Sequence, residues 1–99
     1  MTIMKEATDL AAVINVNRTE AEFLIRRAMT YHRIQERRCS EEMSDAATAA
    51  MEKREAGIEK AILATVAGNP TVKRVEFEGD PRGYCVKLHL ISGEERGIG

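Results

Sequence analysis

The feature that most constrains this chain is a single β-hairpin at the end of an otherwise helical sequence. Residues 75–90 read VEFEGDPRGYCVKLHL, and apolar and polar residues alternate on both sides of the tetrapeptide DPRG. This alternation is typical of strands with one buried face, and Asp, Pro and Gly stand where a type I turn prefers them. Two strands alone are only marginally stable in water, so other elements must cover one face of the hairpin.

Two helical segments occupy the first part of the chain. The first is short, from about residue 5 to 13, and ends at the NVNR of residues 15–18, where asparagines favour a turn. The second begins at Thr19, because Glu22 stands three residues later as in a capping box. We expect it to end near Arg38.

The third segment is the longest helix and runs to the stop signal Gly-Asn-Pro. Ser40 and Ser44 are alternative N-caps for it. Its predicted apolar stripe consists of Met43, Ala47, Ala50, Met51, Ile58, Ala61 and Ile62. Arg54 interrupts this stripe. The sequence leaves three alternatives for its partner: Glu22, Glu36 or a second subunit.

The chain of 99 residues has few large apolar side chains with which to build a core. It contains no Trp, two Phe and two Tyr, and burying a large apolar side chain stabilises a fold by roughly 1.5–3 kcal/mol. We therefore predict an α+β fold of two to three helices followed by a C-terminal antiparallel hairpin. We expect homodimerisation to complete the hairpin to a larger sheet. A strand added by the N-terminal segment TIM is the competing solution to its open edges.

The chain is expected to form one domain over residues 1–99. Its helical part spans residues 5–67, and its hairpin spans residues 71–91. Residues 92–99 read SGEERGIG, which is polar and rich in glycine. We expect a flexible tail there.

Charge and cysteine content bear on the partners and the compartment. The net charge of −1 creates no overall field that would attract nucleic acid or a membrane. Cys39 and Cys85 stand far apart and outside any metal-ligand spacing, so we expect both to be reduced thiols of an intracellular protein. No apolar run approaches the roughly 18 residues of a membrane span, so we expect no signal peptide and no membrane contact.

The sequence lacks the common catalytic motifs. It has no phosphate-binding loop, metal-ligand spacing, serine elbow or paired carboxylates. We therefore expect a protein without enzyme activity and without a cofactor. A nucleophile built from Cys85 and His89 is the remaining catalytic hypothesis, although no third residue is placed to orient it. We interpret His32 as a partly buried packing residue.

The second helix carries arginines on the side opposite its apolar face. Residues 18–38 contain six Arg against three Glu, whereas residues 41–60 contain six acids against three bases. One interpretation is that the two helices neutralise each other as an antiparallel pair.

The other interpretation is that part of this basic surface is exposed for a partner. Arg26, Arg33 and Arg37 fall close together at helical spacing, where they could contact phosphate or an acidic protein surface. Together with Asp80 and Arg82 at the hairpin tip, they form our candidate surface for an unidentified protein partner.

Residues 9–29, DLAAVINVNRTEAEFLIRRAM, resemble a helix-turn-helix. Asn15 follows Ala11 by four residues, where that motif often has Gly. The motif places the start of its second helix in the major groove, where Glu20 and Glu22 would face phosphates of like charge. A plain helical hairpin has the same pattern. The DNA-contacting residues of this alternative are Asn17, Arg18, Arg26 and Arg27.

The segment GDPRGYCVKLHL, together with a glycine-punctuated tail ending in GIG, resembles the C-terminus of small uncharacterised bacteriophage and prophage proteins. The resemblance covers about a fifth of the chain. In such proteins a longer polar and aromatic stretch separates ISGE from the final GIG, and this chain lacks it. The resemblance implies a phage accessory protein that binds a host or phage macromolecule.

Overall fold

The computed structural model describes residues 2–77 and 83–98. Within these residues, three helices precede a three-stranded antiparallel sheet of order β1-β2-β3. The elements are α1 (Thr2–Ile14), α2 (Arg18–Ser40), α3 (Asp45–Val66), β1 (Val72–Phe77), β2 (Val86–Leu90) and β3 (Glu95–Ile98). Helices followed by antiparallel strands confirm the α+β class.

The first helix is longer than the sequence predicted, and it buries an apolar stripe. It begins at Thr2, so the alternative in which TIM adds a strand is wrong. Ala7, Leu10 and Ile14 recur every three to four residues and are almost fully buried. The helix is followed by Asn15, whose φ of 56° is left-handed, a conformation that Asn tolerates better than most residues.

The second helix begins one residue before the predicted start. Asn17 is its N-cap, and the Asn17 Oδ1 accepts a hydrogen bond of 2.8 Å from the backbone N–H of Glu20. The Asn17 side chain also donates to the Glu20 carboxylate at 3.3 Å. The predicted capping box at Thr19 is therefore wrong, because the N-cap is Asn17, two residues earlier, and it pairs reciprocally with Glu20.

The third helix begins after Ser44, whose Oγ accepts from the Ala47 N–H at 3.2 Å. This settles the choice between the two serines. The chain leaves the helix through Gly68, which has a φ of 77°, as the stop signal indicated. The buried face is rotated from the predicted stripe: Ala50 and Arg54 are exposed. The side chains that α3 buries are Glu55, Ile58, Ile62 and Val66.

The sheet packs one face against the helices. Val86, Leu88 and Leu90 of the central strand are buried, as their alternation predicted. β1 pairs with β2 and carries a bulge between Val72 and Arg74. The turn residues Asp80 and Arg82 lie outside the described residues.

Two residues just before the central strand differ from the prediction. The alternation of residues 75–90 predicts that Tyr84 shares a face with Val86, Leu88 and Leu90, and that Cys85 lies on the opposite face. Instead Cys85 is buried and Tyr84 is 53% exposed. The reason is that β2 begins only at Val86, so the strand alternation does not extend back to these two residues.

The third strand comes from the segment that the sequence predicted to be a flexible tail. Glu95–Ile98 pairs antiparallel with β2, and Ile98 lies opposite Val86 and is buried. Gly93, with a φ of 97°, permits the tight turn, and the Leu90 N–H donates to the Glu94 carbonyl at 2.8 Å. A third strand therefore comes from the same chain, and homodimerisation stays a prediction that concerns the outer edges of β1 and β3.

Candidate binding surface on α2 and α3

Arginines from α2 and α3 line two neighbouring depressions, which share Thr30 and Arg33. Their volumes are about 200 and 190 Å³. We call this surface the arginine groove. Its rim is Arg26, Arg33, Arg37 and Arg54, and its floor is Met29, Ile34 and Met51.

Helix geometry explains why the α2 arginines share this surface. Arg26, Arg33 and Arg37 stand seven and four residues apart, close to two turns and one turn of helix. All three side chains are exposed. The structure brings these predicted residues together and adds Arg54, which the sequence did not assign to the surface. Its place in the groove depends on how α3 packs against α2.

The four rim arginines differ in their partners. Arg26 pairs with Glu22 at 3.0 Å, and Arg37 pairs with Glu41 at 3.2 Å. In each pair the two residues are four positions apart, about one turn of helix, and both side chains reach solvent. Such pairs contribute only about 0.3–0.5 kcal/mol, so a partner's carboxylate can replace them at little cost.

The side chains of Arg33 and Arg54 have no ion pair or hydrogen bond among residues 2–77 and 83–98. Glu22, one of the carboxylates considered for Arg54, pairs with Arg26 instead. The centre of the groove therefore holds two cations that the described part of the chain does not neutralise.

The floor of the groove is mostly apolar. Thr30, which lines both depressions, donates its hydroxyl to the Arg26 carbonyl at 3.1 Å. Ile34 is buried in the core, and Met29 and Met51 are half-buried and pack against that core. A ligand in the groove would thus meet apolar atoms beneath and guanidinium groups at the sides.

A buried polar cluster joins the same two helices, and sequence reasoning missed it. Glu55 is 5% exposed and accepts hydrogen bonds from the Gln35 amide and the Arg38 guanidinium. Arg38 also reaches Glu52 at 3.4 Å. The charge balance of the two helices had indicated such complementarity, but nothing in the periodicity singled out Glu55 as the buried member. The cluster fixes α2 against α3 and so sets the shape of the groove.

Two pKa values are raised beside this cluster. Burial, followed by the charges of Glu59 and Glu55, raises the pKa of Tyr31 to about 12. Burial and then the neighbouring Glu55 carboxylate raise the pKa of Glu59 above its ordinary 4.5. Both pKa values are raised because burial and the neighbouring carboxylates disfavour a further negative charge beside Glu55.

Cys85 and His89, the pair of the catalytic hypothesis, each contact other side chains. Cys85 is buried with its Sγ 3.7 Å from the Nδ1 of His32, a ring that is half-buried. His89 lies between Glu76, at 2.8 Å, and Glu95, at 3.5 Å. Within the described ranges, no three His, Cys, Asp or Glu side chains could hold a metal ion.

The residues of the DNA-binding alternative are mostly engaged within their own helix. Asn17 caps α2, Arg26 pairs with Glu22, and the Arg27 guanidinium lies 4.8 Å from the centre of the Phe23 ring. Arg18 is exposed.

Comparisons with protein-family models, with curated proteins and with solved structures found no match. In the part of the chain that the structure describes, no helix has the length and apolar character needed to cross a membrane.

Proposed function

We propose that this chain is a non-catalytic accessory protein, of phage or prophage type, that acts by binding another protein through the arginine groove. The observation that carries the proposal is the convergence of Arg33 and Arg54 above an apolar floor. Clustered cations without a counter-ion suit an acidic partner surface, since complementary charge speeds association and selects the partner. The phage assignment rests on the resemblance of the C-terminal segment, and it puts the protein in the cytoplasm of a bacterial or infected cell. The proposed form is a homodimer.

A charge-reversal comparison tests the groove as the binding surface. The variant Arg33→Glu/Arg54→Glu changes its centre, and Lys53→Glu/Lys60→Glu makes the same change of charge at exposed α3 residues that do not line it. Each tagged protein is used to capture partners from a bacterial lysate, and each captured protein is then purified and titrated.

We expect the wild type and the lysine variant to bind a common partner that the arginine variant loses. Equal binding of the partner by all three proteins would place the interface elsewhere. Circular dichroism must first show that the three proteins melt at similar temperatures.

One observation favours a second candidate function, DNA binding by α1 and α2. Asn15 has the left-handed backbone that a helix-turn-helix turn requires, and Ala21 and Leu24 are buried behind it. Anisotropy of a labelled duplex, titrated at about 50 and 200 mM salt, tests this candidate because phosphate contacts weaken steeply with salt. Binding that is steeply salt-dependent and lost in Arg18→Glu/Arg27→Glu would favour it over the protein-binding proposal.

A further inference from the structure

We infer that the arginine groove receives an acidic amphipathic α-helix of the partner protein. The inference rests on the proposed function and specifies the chemistry of the segment that is bound. Shape, floor and charge each contribute to it.

The shape of the groove matches a helix lying alongside α2. Along α2 the rim runs from Arg26 to Arg37, a separation of eleven positions, which at 1.5 Å per residue is about 16 Å, or three turns of helix. α3 contributes Met51 and Arg54 from the other side. Beside Arg33 and Arg37 a helix would therefore have neighbours on both sides, the arrangement of helix-in-groove recognition. The depression beside Arg26 and Met29 is lined by α2 residues.

The floor matches the apolar stripe of such a helix. The half-buried Met51 and the buried Ile34 line the depression that holds Arg33 and Arg54, and the half-buried Met29 lines the neighbouring one. Methionine side chains are flexible and polarisable, so they adapt to the leucines or phenylalanines of a bound helix. A floor of this kind favours a ligand with apolar side chains at intervals of three and four residues.

The charges select an acidic helix over a nucleic acid. Glu22 and Glu41 already pair with rim arginines near the two ends of the groove, and they would repel the continuous phosphates of a backbone lying along it. A helix can place single carboxylates beside Arg33 and Arg54 and avoid those ends. Among the described residues, none that lines the groove is aromatic, so these residues offer no stacking platform for unpaired bases.

Two designed peptides test the inference on the full-length protein. Both are fluorescein-labelled, about 14 residues long, and made of the same leucines, glutamates and alanines. In the patterned peptide the leucines form one helical stripe flanked by glutamates. In the permuted peptide the same residues are distributed around the helix. Fluorescence anisotropy at about 150 mM salt measures both affinities.

We expect the patterned peptide to bind roughly tenfold more tightly than the permuted one. The variant Arg33→Glu/Arg54→Glu should lose roughly tenfold in affinity for the patterned peptide. Met51→Ser should weaken binding of the patterned peptide only, and Lys53→Glu/Lys60→Glu should leave it unchanged. Circular dichroism of the mixture should show a gain in helix over the sum of the separate components.

Equal affinities for the two peptides would overturn the inference, because charge alone would then explain binding. Absence of binding by either peptide, or binding unaffected in the arginine variant, would overturn it as well. If a mixed-sequence DNA duplex binds the groove and the peptides do not, recognition of nucleic acid replaces the inference of a helical ligand. If a natural partner still requires Arg33 and Arg54 after these peptides fail, the proposed function stands and only the helical ligand is wrong.

Discussion

Glu55 is a carboxylate buried between two helices, and its hydrogen-bond donors are what make that burial tolerable. A buried charge without partners is costly, whereas one with well-placed donors approaches balance. Gln35 and Arg38 both donate to Glu55. Because Arg38 is itself 31% exposed, water shares in neutralising its charge.

Replacing Glu55 by Gln should destabilise the protein by about 1.5–3 kcal/mol, because the amide cannot accept from both donors as the carboxylate does. Urea unfolding measures the change. The matched control is Glu52→Gln, which removes a 59%-exposed partner of the same arginine and should cost under about 0.5 kcal/mol. Equal effects of the two substitutions would mean that Glu55 does not hold α2 to α3.

Glu59 makes stability depend on pH in the opposite sense to an ordinary ion-paired carboxylate. Its pKa is raised in the folded state by burial and by Glu55. As the pH rises through that value, native Glu59 loses a proton that the unfolded chain has already lost. The free energy of unfolding therefore falls over this window.

The variant Glu59→Gln should consequently be more stable than the wild type at pH 7. The difference should shrink as the pH is lowered below about 4, where the wild-type side chain is protonated in both states. Urea unfolding at the two pH values provides the comparison. A variant less stable than the wild type at pH 7 would contradict the raised pKa.

Residues differ in how well the sequence predicted them. The predicted surface residues Arg26, Arg33 and Arg37 lie on one side of α2, because side-chain direction along a helix follows directly from spacing. Arg54 and Glu55 were not predictable in this way. Which of two adjacent polar residues is buried depends on the rotation of α3 against α2, and hence on side chains far away in the sequence.

At the scale of elements, the number and order of helices followed from periodicity and turn residues. The start of α2 did not, because two overlapping capping patterns compete in NVNRTEAE. Asn17 with Glu20 forms the cap, and Thr19 lies inside the first turn. Asn has the stronger preference for the N-cap position, which is consistent with the observed start.

The cap can be tested by a pair of alanine substitutions. Asn17→Ala should cost about 1 kcal/mol, because the Glu20 N–H loses its acceptor. Thr19→Ala should change stability by less than about 0.5 kcal/mol. Thermal or urea unfolding distinguishes the two. A larger loss of stability in Thr19→Ala than in Asn17→Ala would mean that α2 begins at the position predicted from the sequence.

At the scale of the whole molecule, β3 determines what the sheet exposes. The sequence pattern left the hairpin with two open edges, and homodimerisation was the expected remedy. The segment ERGI gave no strand signal, since it is short, half charged and contains glycine. Tertiary context decides its conformation: the Ile98 side chain reaches the core, and β2 supplies a backbone partner.

Two isoleucines test whether the C-terminal segment belongs to the core. Ile98→Ala should destabilise the protein by about 2–4 kcal/mol, because it removes a buried side chain and leaves a cavity between β3 and the helices. Ile91→Ala deletes the same atoms from a side chain that is 65% exposed and should cost under about 0.5 kcal/mol. Urea unfolding gives the change in the free energy of unfolding for each variant. Analytical ultracentrifugation of the same samples shows whether Ile98→Ala, by loosening β3 from β2, changes self-association through the edge of β2. If Ile98→Ala unfolds at the wild-type urea concentration, β3 adds nothing to stability, and the flexible tail expected from its composition would be the better description.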